Sequence, residues 1–239
     1  MPLTEHLREL RTRIIKSIIA VLVGAGFSFY FSNTIFEFLK RPVSKSYPQV
    51  ELITLSPTEP LFILIKITFI VGLIIASPVV LYQIWRFVEP ALYPHEKKLF
   101  IPLLLSSIIL FISGASFAYF AVLPVALKFL IGIGFSQLNA TPFLSVGMYV
   151  GFVLKMILGF GLAFEMPIFL FMLQRAGIVR EEQLRKFRRY FIVVAFIIGA
   201  LIAPDVATQI LMAVPLLILY EISILLGKFY VKRDENKDG

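Results

Sequence analysis

A chain of 239 residues that is 59% hydrophobic, 14% aromatic and 16% charged lies outside the balance of a water-soluble domain, and a mean hydropathy of +0.88 points to a bilayer as its solvent. The formal net charge of +8 would suggest nucleic acid in a soluble chain, but the basic residues stand in short clusters between apolar runs, a pattern of membrane orientation. With no cysteine and with His6 and His95 far apart, disulfide and thiolate chemistry are excluded, and neither a metal nor a cofactor is expected.

The first apolar run, Ile14 to Ser32, follows Arg8, Arg11, Arg13 and Lys16. At about 19 residues it exceeds the apolar stretch of a signal peptide and reads as an uncleaved first helix. The runs Leu61 to Val88, Leu99 to Val122 and Val146 to Leu173 each reach the roughly 20 residues that span a hydrocarbon core. The fifth, Phe191 to Ala203, covers only about 20 Å of a core about 30 Å thick, and the sixth, Ile210 to Leu226, also reads as short. Pro204 and Asp205 between them predict a tight turn joining two helices. The expectation is an all-α polytopic membrane protein with six transmembrane helices, one integral membrane domain over residues 1–239, and a short charged tail over 232–239.

Lysine and arginine set the orientation. Basic residues precede the first helix, Arg86, Lys97 and Lys98 flank the second connection, a cluster from Arg175 to Arg189 fills the fourth, and Lys228, Lys232, Arg233 and Lys237 follow the sixth helix. The other side carries only Lys40, Arg41, Lys45 and Lys128. Both termini are therefore expected in the cytoplasm. Tyr82, Trp85, Tyr190 and Tyr230 read as an inner aromatic belt, and Tyr30, Tyr119 and Tyr149 as an outer one. Pro78, Pro167 and Pro215 fall inside predicted helices, and the bends they impose favour a curved bundle.

Ionisable residues at membrane depth are costly and mark candidate functional positions. Lys66, about five residues into the second helix, has a stem that can snorkel to the interface, whereas Lys155, about nine residues into the fourth, is marginal for snorkelling and is as readily a functional position. Glu165 lies near the bilayer middle, where a short carboxylate side chain reaches neither surface, so it is expected to be neutral, to face a polar cavity or to meet a partner. At the inner surface Glu9 and Glu96 sit in strongly basic surroundings. Glu9 and Arg13, spaced i,i+4, fit an ordinary ion pair, and Glu96 can pair with Lys97 or Lys98.

Five segments in order carry a resemblance: His6-Leu-Arg-Glu-Leu-Arg-Thr-Arg13, Leu55-Ser-Pro-Thr-Glu-Pro-Leu-Phe62, Phe87-Val-Glu-Pro-Ala-Leu-Tyr-Pro-His-Glu96, Phe164-Glu-Met-Pro167 and Ala203-Pro-Asp205. Together they resemble the TatC family, the receptors of twin-arginine translocation. The resemblance implies a glove-shaped six-helix protein of the bacterial inner membrane that binds twin-arginine signal peptides at its cytoplasmic face. It also implies the single-span partners TatA and TatB, export of folded proteins driven by the protonmotive force, and no enzymatic activity; it admits a homo-oligomer. By the same resemblance Glu9 and Glu96 contact the arginine pair, Glu165 is exposed in the concave membrane face, and Gln209 is a polar position beside the last hairpin. His6, Arg13, Pro167 and Asp205 support these sites. Where the family often has a hydroxyl residue and two prolines before the aspartate, this chain has Ile202, Ala203 and Pro204. Paired glutamates suit paired arginines physically, because a guanidinium fork matches a carboxylate bidentately and an ammonium does not.

Competing functions fail on inventory. An intramembrane serine protease needs serine and histidine at membrane depth, yet both histidines lie in polar flanks. An aspartyl protease needs two aspartates within helices, and Asp205 sits in a turn. A proton-coupled small-molecule transporter using Glu165 as its relay is the remaining alternative, although the internal repeat common in such folds is missing from the sequence.

Overall fold

The computed structural model describes residues 3–88, 100–137, 143–175, 177–202 and 205–235. In chain order the elements are α1 (Leu3–Tyr30), α2 (Ser32–Ser46), β1 (Leu52–Ile53), α3 (Glu59–Val88), α4 (Phe100–Phe117), a π-helical turn (Ala118–Val122), α5 (Leu123–Gln137), β2 (Leu144–Ser145), α6 (Val146–Ala163), α7 (Met166–Arg175), α8 (Glu181–Ile202) and α9 (Val206–Glu235). Five helical stretches are long and apolar enough to cross a membrane: 5–30, 59–87, 100–132, 146–175 and 206–227. α8 is long, but its first half carries Arg185, Lys186, Arg188 and Arg189, leaving an apolar part of about 18 Å from Phe191 to Ile202.

α6 is the central helix. Val150, Val153, Leu154, Met156 and Phe160 are buried against Ile67 of α3, Leu123 and Ala126 of α5, and Leu39 and Val43 of α2, which share one core. The apolar side chains left exposed, among them Val23, Phe29 and Ile109, fit a surface solvated by lipid. α1 lies along α3 with backbones in close approach, since a Cβ on Gly72 would stand 2.6 Å from the Cα of Ala25. Ser28 adds a buried hydrogen bond from its hydroxyl to the Ile67 carbonyl at 3.3 Å.

The connections expected as loops on the outer side are largely structured. α2 is a 15-residue helix with Pro42 inside it. A proline there leaves the carbonyl four residues back without its helical donor, and that carbonyl, of Phe38, accepts the Tyr119 hydroxyl at 2.6 Å. The Tyr149 hydroxyl donates to the neighbouring Leu39 carbonyl at 2.8 Å. Tyr119 and Tyr149 are thus buried ties, not the interfacial belt residues expected of them. Trp85 departs from the belt in the same way, being buried. The side chain of Tyr230 lies outside the described residues.

The third apolar run continues well past Val122. The Leu123 amide bonds back five residues to Ala118, forming a π-helical turn one residue before Pro124, and α5 then extends the helix to Gln137. The segments that precede α3 and α6 are joined by a short parallel ladder, Leu52 with Leu144 and Ile53 with Ser145.

Two further expectations are corrected. The sixth helix is not short: α9 has 30 residues, and its apolar stretch 206–227 covers about 33 Å, because the residues from Val206 to Gln209, left outside the run that begins at Ile210, are helical. Pro167 does not bend a continuous helix. The helix breaks at Phe164 and Glu165, and Pro167 is the second residue of α7, where its missing N–H costs nothing.

Candidate functional site

Polar side chains gather at three levels of the bundle. The first lies where the start of α1 meets the end of α3. One turn apart on α1, Glu9 and Arg13 pair at 3.1 Å between Oε1 and Nη2, and Nη1 of Arg13 donates to Oε1 of Gln83 on α3 at 3.1 Å. The Glu9 carboxylate is held from one side in this way, with 22% of its side chain exposed. A carboxylate offers about four lone-pair positions, so Arg13 leaves room for a second guanidinium. Beside them His6 stacks on Phe87, ring centroids 4.5 Å apart. The chain leaves α3 at Val88, next to this stack, and enters the segment containing Glu96. Glu96 lies outside the described residues, so its relation to Glu9 rests on the sequence alone.

The second level is the break between α6 and α7. With Phe164 and Glu165 out of the helical ladder, Glu165 turns toward α4 and its Oε2 accepts the Ser107 hydroxyl at 2.5 Å. Ser107 in turn accepts the Trp85 indole N–H at 2.8 Å, a relay of donors that crosses three helices. The other oxygen, Oε1, is buried and has no protein partner among the described residues. Glu165 is therefore anchored by one oxygen, and the other is a bonding position left over. Sequence reasoning placed Glu165 at depth but missed its link to Ser107 and Trp85; Ser107 is one of four serines in its apolar run, with Ser106, Ser113 and Ser116, and nothing local distinguishes it.

The third level is the turn between α8 and α9. Asp205 caps α9, its Oδ1 accepting the Thr208 amide at 2.7 Å, as an N-cap carboxylate does. Gln209 reaches across the hairpin and donates from Nε2 to the Phe196 carbonyl at 2.6 Å. Gly199 leaves room for it, since a Cβ there would stand 2.9 Å from the Gln209 Cγ. Pro204 lies outside the described residues. These levels are distinct stations, and the structure does not bring Glu9, Glu165 and Gln209 into one pocket.

A fourth acidic residue, which the sequence reading did not single out, organises the opposite end. Glu59, in the first turn of α3, accepts the Ser145 hydroxyl, the Gly147 amide at 2.7 Å and the Leu55 amide. One carboxylate thereby fixes the entry into α3 and the start of α6. Among the described residues no three histidine or acidic side chains stand close enough to hold a metal ion.

Comparison with known proteins agrees with this architecture. The family model described as Sec-independent protein translocase protein (TatC) matches residues 5–215. The chain is 70% identical over 233 residues to the Sec-independent protein translocase protein TatC of Aquifex aeolicus strain VF5, covering 98% of this chain and 97% of that protein. It is 41% identical over 239 residues to the protein of the same name from Escherichia coli strain K12, covering 99% and 92%. A crystal structure described as a twin arginine translocase receptor, TatC, superposes with a TM-score of 0.89 at 70% identity, covering 94% of this chain and 98% of that one.

Proposed function

Because the chain belongs to the TatC family of Sec-independent protein translocases, we propose that it is the receptor that binds twin-arginine signal peptides and recruits the single-span partners TatA and TatB to export folded proteins with the protonmotive force. A TatC protein is a translocase component in a multi-pass membrane setting, not an enzyme. Family membership also sets aside a small-molecule transporter built on Glu165.

The observation that carries the peptide-binding reading is the held carboxylate of Glu9. Arg13, itself held by Gln83, fixes it where the start of α1 meets the end of α3, and His6, three residues before Glu9, stacks on Phe87. An incoming guanidinium meets an acceptor that is already oriented, which lowers the ordering cost of binding. Glu96, four residues ahead of α4, supplies the second acceptor in this reading, and the basic surroundings disfavour cationic segments that do not fit. The domain crosses the bacterial inner membrane six times, α8 making the fifth crossing, with both termini in the cytoplasm; the one-sided distribution of lysine and arginine supports this orientation.

The test is binding of purified protein to a signal peptide bearing two arginines against the same peptide bearing two lysines. The arginine peptide should bind more tightly, and Glu9→Ala or Glu96→Ala should each weaken it by about 2 kcal/mol or more, the cost of stripping a partly buried arginine of a charge-assisted partner. Equal binding of both peptides, or wild-type affinity in both variants, refutes the reading.

A further inference from the structure

At the end of the bundle that carries β1 and β2, a cavity of about 600 Å³ lies between α3, α5, α6 and the last turn of α8. Leu127, Ile131 and Ile202 give it mostly apolar walls, and two cations, Lys66 of α3 and Lys155 of α6, also line it. Among the described residues no acidic side chain is part of the lining. The Lys66 ammonium crosses to α6 and stands 3.8 Å from the point where a Cβ on Gly151 would be. Gly151 and Lys155 are spaced i,i+4 and share one helix face, so the Lys66 ammonium lies on the face of α6 that carries Lys155. Among the described residues neither lysine has an ion pair or hydrogen bond.

Depth sharpens the problem. α3 is 30 residues long, about 45 Å, and so exceeds a hydrocarbon core by about 15 Å. Lys66 lies about 10 Å along α3 from Glu59, and Lys155 about 14 Å along α6 from Val146. With the surplus length shared between both ends, each lysine stands within about one or two helical turns of the hydrocarbon boundary, just under the level of lipid phosphates. Two isolated lysines at this level would snorkel outward separately. These two are exposed and line the same cavity, and like charges that share a cavity near hydrocarbon favour an anion beside them.

We propose that Lys66 and Lys155 bind the phosphate of an anionic phospholipid whose acyl chains occupy the apolar part of the cavity. A phosphodiester offers oxygens to both ammonium groups at once. A zwitterionic lipid brings its own cation into the same space and is disfavoured. The apolar walls favour a lipid over a free phosphate ion, and the shortened α8, ending at Ile202, leaves the volume the acyl chains fill.

The experiment is native mass spectrometry of detergent-purified protein titrated with phosphatidylglycerol or phosphatidylcholine, with inorganic phosphate as competitor. Phosphatidylglycerol should be retained in preference to phosphatidylcholine, and Lys66→Gln with Lys155→Gln should reduce its affinity about tenfold, as the loss of charge-assisted contacts predicts. The double arginine variant should retain binding. Gly151→Leu keeps both charges but fills the space beside the Lys66 ammonium, and it should lose binding by a similar factor. Wild-type retention by both the double glutamine variant and Gly151→Leu overturns the proposal. Equal retention of the two lipids, or displacement by millimolar inorganic phosphate, does so as well, the last by showing a free-phosphate site.

Discussion

Ile202, the last residue of α8, rests against Gly159 of α6, so closely that a Cβ on the glycine would stand 2.7 Å from the isoleucine Cδ1. Gly159 lies 13 residues past Val146, about 20 Å along the helix. The turn between α8 and α9 therefore stops well below the end of the bundle that holds the β-ladder. The sequence reading of two short helices resolves into one short apolar helix, α8, and one long helix, α9, that starts deep. Such a mismatch is relieved by thinning the bilayer or by admitting water on that face. Inserting about five leucines after Ile202 adds about 7 Å and should impair export while twin-arginine peptide binding persists. Unchanged export in a transport assay would make the depth of the turn incidental.

Glu59 gathers three donors from two segments, and each is lost or reversed in a different variant. Glu59→Gln replaces one acceptor oxygen with an NH2 group that faces an N–H or O–H donor. Ser145→Ala removes one of the three donors to Glu59 and also the N-cap acceptor of the Met148 amide at 3.2 Å, while leaving the carboxylate its two backbone donors. Gly147→Ala drives a methyl group into the carboxylate, since a Cβ there would stand 2.6 Å from Oε1. Detergent denaturation should show a lowered midpoint for Glu59→Gln and Gly147→Ala, and a smaller change for Ser145→Ala. The reverse order would mean that Glu59 is not what joins α3 to α6.

Gly72 and Gly26 differ only in surroundings and make a matched pair. A Cβ on Gly72 collides with the backbone of α1, whereas one on Gly26 meets nothing within 4 Å. Gly72→Ala should destabilise by about 1–3 kcal/mol as the helices are forced apart. Gly26→Ala should be neutral or stabilising by up to about 1 kcal/mol, because alanine is the better helix former. Thermal unfolding in detergent measures both, and equal effects would contradict the close approach of α1 and α3.

How much of this was legible in the sequence follows from how local each signal is. Apolar runs and the Glu9–Arg13 spacing are local, and both were readable. α2 was not: 15 residues with Lys40, Arg41 and Pro42 look like a loop, and what makes the helix tenable is a pair of tyrosines 81 and 110 residues away. Gln83 escaped notice for the same reason, since its partner Arg13 is 70 residues distant. The depth of Glu165 was visible from its position in a run. Its bond to Ser107, 58 residues away, depends on a helix break that Phe164-Glu-Met-Pro167 only hints at.

Orientation can be checked directly, because the chain has no cysteine to confuse labelling. Ser46 ends α2 and Ser136 lies in the last turn of α5, while Gln183 is in the first turn of α8. Single cysteines at Ser46 and Ser136 should react with an impermeant reagent added outside intact cells, and one at Gln183 only after the membrane is opened. The opposite pattern would invert the topology.

The relay from Trp85 through Ser107 to Glu165 makes the last and sharpest prediction. Ser107 is fully buried, so Ser107→Ala strands an indole N–H and a carboxyl oxygen together, at a cost of about 1–3 kcal/mol for each group left unsatisfied. Trp85 is the sole tryptophan, so its fluorescence reports this site alone and should shift in the variant. Glu165 bonds Ser107 through one oxygen, and Oε1, buried and with no partner among the described residues, can bond a polar side chain on an incoming single-span helix once the carboxyl turns outward, a contact typically worth about 1 kcal/mol in a membrane. Glutamine preserves an acceptor for Ser107 and a second bonding group, whereas alanine removes both. Glu165→Gln should therefore largely retain crosslinking to the partner helix, Glu165→Ala should reduce it, and neither should disturb peptide binding at Glu9, which lies on a separate level of the bundle. If glutamine proves as damaging as alanine, the position requires a titratable proton and not merely a hydrogen bond. If alanine leaves partner contact and export intact, the free oxygen serves no partner.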